Sequence, residues 1–227
     1  MSTVEEAAPL VAGDFLDRDE FLRRWEAMPY LKRAELIRGV VYMPSPVGPD
    51  HGTMENNLAG WLYTYKLHTP GCAVANNTTW LMLEGEAPQP DVSLWILPRR
   101  KKRATKRSKL LEGAPGFLAE VCVSRTAYDL HQKLEVYQEA GVEEYLAVLM
   151  REREVRWHRL SRGRLRALPA PEDGVYRSAA FPGLWLDAAA LLSDDLLRVQ
   201  EMLQEGIHSP EHDAFVKRLA ARRSRKR

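Results

Sequence analysis

The sequence predicts an α/β fold: a mixed central sheet flanked by helices, with an added antiparallel meander and helices near the C-terminal end. Three observations carry this. The apolar runs Asp91-Val92-Ser93-Leu94-Trp95-Ile96-Leu97 and Gly116-Phe117-Leu118-Ala119-Glu120-Val121-Cys122-Val123 have the length and make-up of short, largely buried strands. Apolar residues at helical spacing mark two amphipathic helices, one through Met54, Leu58, Trp61, Leu62 and Tyr65, the other through Leu130, Leu134 and Tyr137. Beyond the second helix, Glu143–Leu149 and Val155–Leu160 read as meander strands, turned at Arg151-Glu152-Arg153 and again at Ser161-Arg162-Gly163.

Length and composition narrow the class. The 227 residues suffice for one domain with a substantial core. Residues 1–13 read as a disordered lead, 14–192 as the domain, and 193–227 as a helical extension with a basic tail. Lys and Arg number 33 against 31 Asp and Glu, so the formal net charge of +2 does not by itself mark a nucleic-acid binder. No apolar run approaches the roughly 18 residues needed to cross a bilayer, and Met1 to Gly13 lacks the basic and apolar segments of a secretory signal. Cys72 and Cys122 have neither paired nor zinc-like spacing and fit a reducing compartment. A cytoplasmic protein is expected.

Taken in order, Asp17 and Glu20 form a capping box for a helix through Phe21, Leu22 and Trp25, closed by Met28-Pro29. Ala34 to Met43 reads as one strand, with Glu35, Ile37, Gly39, Val41 and Met43 on one face. Pro44 to Pro49 is a rigid turn, and Asp50 an N-cap for the helix beginning near His51. A single strand is expected from Cys72 to Leu83, and a loop from Pro98 to Lys109. Gly141 suits the left-handed cap of the preceding helix. Leu191–Gln204 and His212–Arg223 read as helices; Pro210 separates His208 from His212, which leaves both as surface residues.

Asp91 and Glu120 stand out because a carboxylate inside an apolar strand costs several kcal/mol unless a cation or donors answer it. A divalent metal together with Lys133, at the edge of the buried stripe on the following helix, supplies such an answer. Taken alone, Glu35 reads as an exposed acid at a strand start. His51 at a helix N-terminus is either a capping residue or a phosphate contact. Arg99, Arg100, Lys101, Lys102, Arg103, Lys106, Arg107 and Lys109 crowd the loop between the acid-bearing strands, and five more basic residues fill the last seven. Such runs are either solvated charge or phosphate-binding arms; we read the loop as an arm and the tail as solvated charge.

These residues also carry a resemblance. Pro90-Asp91, Glu120-Val121, Asp129, Lys133, Tyr137 and Ala140-Gly141-Val142-Glu143-Glu144-Tyr145 resemble the Uma-two family of endonucleases, within the PD-(D/E)XK, restriction-endonuclease-like superfamily. The similarity takes in Glu35-Leu36-Ile37-Arg38-Gly39, Pro44-Ser45-Pro46 with His51, and Phe181-Pro182-Gly183-Leu184, roughly residues 15 to 192. The motifs are weak singly and specific in their order and spacing. The resemblance implies a restriction-endonuclease-like mixed sheet, Glu35 and His51 as active-site residues, and the Val121 carbonyl as a metal ligand beside Asp91 and Glu120. One departure is that Cys122 occupies the superfamily's usual lysine position, and Lys133 takes that role. Another is that Val123-Ser124-Arg125-Thr126 replaces the family's serine-proline segment, bringing Arg125 as an extra positive charge.

The activity so implied is metal-dependent hydrolysis of DNA phosphodiester bonds. Mg2+ is the default for hard oxygen ligands, with Mn2+ as substitute. Lys133 would orient the attacking water or stabilise the phosphorane. DNA is the expected partner, no membrane is involved, and cutting both strands of a duplex together calls for a homodimer. Two other readings stay open. One is a catalytically inactive nucleic-acid-binding or assembly module that keeps the fold; the other is a hydrolase of small phosphodiesters.

Overall fold

The computed structural model describes residues 7–43, 46–97, 102–104, 109–123 and 127–224. In chain order the elements begin with α1 (Arg18–Ala27), β1 (Glu35–Ile37), β2 (Val40–Tyr42), α2 (Pro49–His68), β3 (Cys72–Asn76) and β4 (Trp80–Leu81). The middle of the chain gives β5 (Val92–Ile96), β6 (Lys102–Ala104), β7 (Lys109–Glu112), β8 (Phe117–Cys122), α3 (Ala127–Ala140) and β9 (Glu144–Leu149). The remainder is β10 (Glu154–Ser161), β11 (Arg164–Ala167), β12 (Val175–Arg177), β13 (Trp185–Asp187), α4 (Ala188–Leu192), α5 (Leu196–Ile207) and α6 (Pro210–Ser224).

Six strands form the central sheet in the order β11-β10-β9-β8-β5-β3. It is mixed, because β8 and β9 are parallel and joined through α3, while the other pairings are antiparallel. Both faces of its centre are covered, which is why β8 and β9 read as continuous apolar runs. The period of two sorts β8: Phe117, Ala119 and Val121 join the core that contains Met54, Leu58, Trp61, Leu62 and Tyr65 of α2, whereas Leu118 joins the one that contains Val136 and Tyr137 of α3. Glu120 therefore shares the α3 face with Leu118. The meander strands β9, β10 and β11 extend the sheet as expected, with Trp157 fully buried against Trp61, Phe117 and Tyr176.

Several boundaries differ from the sequence reading, each for a local backbone reason. Ala34 to Met43 is a hairpin rather than one strand: Arg38 (φ 53°) and Gly39 (φ 75°) both turn left-handed, as a two-residue hairpin loop requires, and β1 pairs with β2. Cys72 to Leu83 breaks at Asn77 (φ 49°), so β4 leaves the central sheet and pairs with β7. The expected loop at 98–109 contains a strand, β6, paired antiparallel with β7. Pro49 rather than Asp50 opens α2, with Gly48 as its N-cap. Residues 7–13, read as part of a disordered lead, pack instead: Leu10 is buried and Gly13 donates its N–H to the Val41 carbonyl. Asp17 does cap α1, accepting from the Glu20 N–H at 2.8 Å, and Gly141 does close α3. There the Gly141 N–H meets Gln138 and the Val142 N–H meets Tyr137, the paired bonds of a Schellman cap.

The C-terminal helices belong to the same core. The span read as one helix from Leu191 breaks at Asp194 (φ 61°) into α4 and α5. Pro210 occupies the first turn of α6, a position it suits. His212, expected at the surface, is buried against Tyr65 with Nε2 2.9 Å from the Thr69 hydroxyl, and burial lowers its pKa; His208 is exposed. Val199, Leu203 and Ile207 of α5, and Phe215 and Leu219 of α6, join the core under α2. The closest approach is at Gly206, where a Cβ would sit 2.7 Å from Trp185 Cγ and closer still to the Gly183 carbonyl. Gly206→Ala is expected to destabilise the fold by about 2 kcal/mol, lowering the thermal midpoint by roughly 4–8 °C; an unchanged midpoint in thermal denaturation would refute this packing.

Candidate active site

Continuing the β5–β8 register one residue past Val92 and Ala119 sets Asp91 beside Glu120 on the α3 side of the sheet, at the mouth of β5. Both residues are buried. Asp91 Oδ2 accepts the Val121 N–H at 2.8 Å, which fixes one oxygen of that carboxylate. Glu120 Oε1 accepts from Lys133 Nζ at 3.1 Å and from the Tyr137 hydroxyl at 2.5 Å. Lys133 and Tyr137 reach it together because they lie four apart on α3, one turn of one face.

The hairpin supplies the next carboxylate. Glu35 Oε1 lies 3.0 Å from Lys133 Nζ and accepts the Gln89 N–H at 2.7 Å, so a single lysine bridges two acids from different elements. From the other side, the first turns of α2 bring His51, whose Nε2 lies 3.5 Å from Asp91 Oδ2. His51 Nδ1 is buried without a hydrogen-bond partner among the described residues and faces Glu55 at 3.9 Å. Glu55 is itself held by Asn77 Nδ2 at 2.6 Å, and Asn77 in turn by Arg33.

Electrostatics follow from this crowding. Burial pushes the Glu120 carboxyl up to about 7; Lys133 opposes the shift, and Asp91 and Glu35 add to it. For Lys133, burial works against the charge, but Glu120 and Glu35 outweigh it and hold the ammonium above the ordinary lysine range. Asp91 raises the His51 pKa against the effect of burial. Tyr137, buried and bonded to Glu120, stays protonated well beyond its usual range. Among the described residues no three His, Cys, Asp or Glu side chains form a ready cage for a metal. What the fold provides is two adjacent carboxylates, one of them held by the Val121 N–H.

The residues singled out in the sequence thus fall into two groups. Glu35, His51, Asp91, Glu120, Val121 and Lys133 converge on one place. Of the basic loop, Lys102 and Arg103 lie on β6 and Lys109 on β7. Arg99, Arg100, Lys101, Lys106, Arg107 and Arg125 lie outside the described residues. Sequence reasoning missed Tyr137 and Glu55 as site residues, although each lies one helical turn from a residue it did find. It also missed Gln89, whose contribution is a backbone N–H and carries no side-chain signal.

A crystal structure from Anabaena variabilis ATCC 29413, titled a putative nuclease belonging to DUF820, superposes with a TM-score of 0.60 at 15% identity, covering 75% of this chain and 98% of that one. Residues 18–189 match the Uma2 family, described as putative restriction endonuclease, and the chain belongs to that family. No curated protein matches the chain. Among the described residues no helix is long and apolar enough to cross a membrane, and Cys72 and Cys122 are free thiols.

The raised Glu120 pKa has a sign that can be checked. A carboxyl whose folded pKa of about 7 exceeds its ordinary 4.5 binds more protons folded than unfolded between those values. Its contribution to stability is therefore present at low pH and lost as pH rises through about 7. Glu120→Gln, which never ionises, should be more stable than the wild type at pH values above this window and about equal to it below. Urea denaturation on both sides of the window tests this; the same difference at both would contradict the burial of an ionising Glu120.

Proposed function

We propose that the protein is a metal-dependent endonuclease that hydrolyses DNA phosphodiester bonds. The observation that carries this is the pairing of Asp91 and Glu120 on neighbouring strands, both buried, with Lys133 against Glu120 and the Val121 N–H and His51 against Asp91. A fold needs no such pair. Asp91 adds to the cost of ionising Glu120, and a bound hard cation would reverse that cost.

The donor set fits such a cation. Asp91, Glu120 and the Val121 carbonyl would hold it, Mg2+ by default with Mn2+ as substitute, ions that keep several waters beside a few carboxylates. When bound, the metal would supply charge neutralisation at the phosphate and a bound water of lowered pKa.

The chain's own groups have distinct tasks in this reading. Lys133, held between Glu120 and Glu35, points a fixed positive charge at the site, where it orients the attacking water or stabilises the phosphorane. Glu35 and Gln89 keep that lysine in place. His51, whose proton is retained to higher pH by Asp91, can hand a proton to the leaving oxygen. Tyr137 holds the Glu120 carboxylate in orientation.

Supercoiled plasmid incubated with Mg2+ or Mn2+ provides the test. Wild-type protein should nick or linearise it, and Asp91→Ala and Lys133→Ala, purified identically and equally folded, should each lose at least about a hundredfold in rate. Cleavage undiminished in Asp91→Ala would overturn the assignment. Metal binding without cleavage in the wild type would favour a binding module that retains the fold.

A further inference from the structure

Beside Lys133 lies a cavity of about 190 Å3, lined by Glu35, Ile37, Tyr42, Met43, Gln132 and Lys133. Glu35 and Lys133 belong to both places, so the cavity opens directly beside the carboxylates. It is smaller than the roughly 300–1,000 Å3 of a drug-sized ligand site, yet holds about six waters' worth of space. That is the scale of a single planar heterocycle.

Its walls have the matching chemistry. Ile37 is buried and Met43 half-buried, giving an apolar side, and Tyr42 brings an aromatic ring from the end of β2. The Tyr42 hydroxyl donates to Gln132 Oε1 at 3.1 Å, and the N–H2 of the same amide is the group that would donate to a ring acceptor. An aromatic face, an apolar side and one amide are the usual equipment for holding an unstacked base.

Accepting the nuclease reading above, we infer that this cavity binds one nucleobase, unstacked from its neighbours, of the nucleotide adjoining the phosphate to be cleaved. A base can enter it only from a single strand or after extrusion from a duplex. Intact duplex is then the poorer ligand, and single-stranded or locally opened DNA the better one. Stacking on Tyr42 gives affinity with little sequence preference, and the Gln132 amide adds a bias towards bases that present an acceptor on the reachable edge.

The test measures binding apart from cleavage, with Ca2+ in place of Mg2+. A short fluorescent single strand and its duplex are titrated by anisotropy against wild type, Tyr42→Ala, Gln132→Ala, and Tyr30→Ala as an exposed tyrosine outside the cavity. Thermal unfolding of each variant guards against misfolding, and Gln132→Ala changes a different element from Tyr42→Ala. The single strand should bind the wild type and Tyr30→Ala about tenfold more tightly than the duplex does, and Tyr42→Ala should abolish most of that difference. A strand carrying 5-iodouracil should photocrosslink to Tyr42. Salt-sensitive binding of the strand that is equal in all variants, with no crosslink at Tyr42, would overturn the base pocket while leaving the nuclease reading intact. Absence of any nucleic-acid binding, together with no plasmid cleavage, would overturn both.

Discussion

The structure turns on one buried carboxylate. Glu120 sits in an inner strand of a sheet covered on both faces, where an unanswered charge would cost several kcal/mol, a large share of the net stability of a domain. Its answer comes from α3, as the Lys133 ammonium and the Tyr137 hydroxyl. Those two contacts join the apolar packing of Val136 in holding α3 on the sheet.

From that contact the rest of the site can be followed outward. Lys133 has a second acid to satisfy, and the β1–β2 hairpin provides it in Glu35, so the hairpin is drawn against α3. Arg38 at the hairpin tip reinforces this through paired bonds to Glu139 of α3, at 2.7 and 2.8 Å, although exposed pairs of this kind contribute only a few tenths of a kcal/mol. On the other side, Asp91 is fixed by the Val121 N–H and approached by His51 from α2. Helices from both faces therefore meet at the end of β5, and the cavity beside Lys133 is the space the hairpin leaves between itself and α3.

Much of this could be read in the sequence, for definite reasons. A charge in an apolar run is a strong signal, and it drew attention to Asp91 and Glu120. The helical stripe of α2 and the period-two strands of the meander set the layers. What could not be read was mostly backbone conformation. Arg38, Asn77 and Asp194 take the left-handed region without being glycine, and each converts an apparently continuous element into two. Asparagine and aspartate tolerate that region, so a weak signal existed at Asn77 and Asp194; at Arg38 the only hint was the glycine after it. His212 was misplaced because proline was taken as a helix breaker, when it opens α6 and leaves the histidine within the first turn. The roles of Tyr137 and Glu55 needed only the i+4 rule applied to Lys133 and His51.

The central claim is that Asp91 and Glu120 are kept ready for a divalent cation. Calorimetric titration of Mn2+ and Mg2+ into the wild type and into Glu120→Ala tests this most directly, because it requires no knowledge of the substrate. The account expects saturable binding in the wild type, accompanied by proton release from Glu120 below about pH 7, with both lost in the variant. Binding of equal strength in the two proteins, or no binding in the wild type at any pH where it is folded, would contradict it.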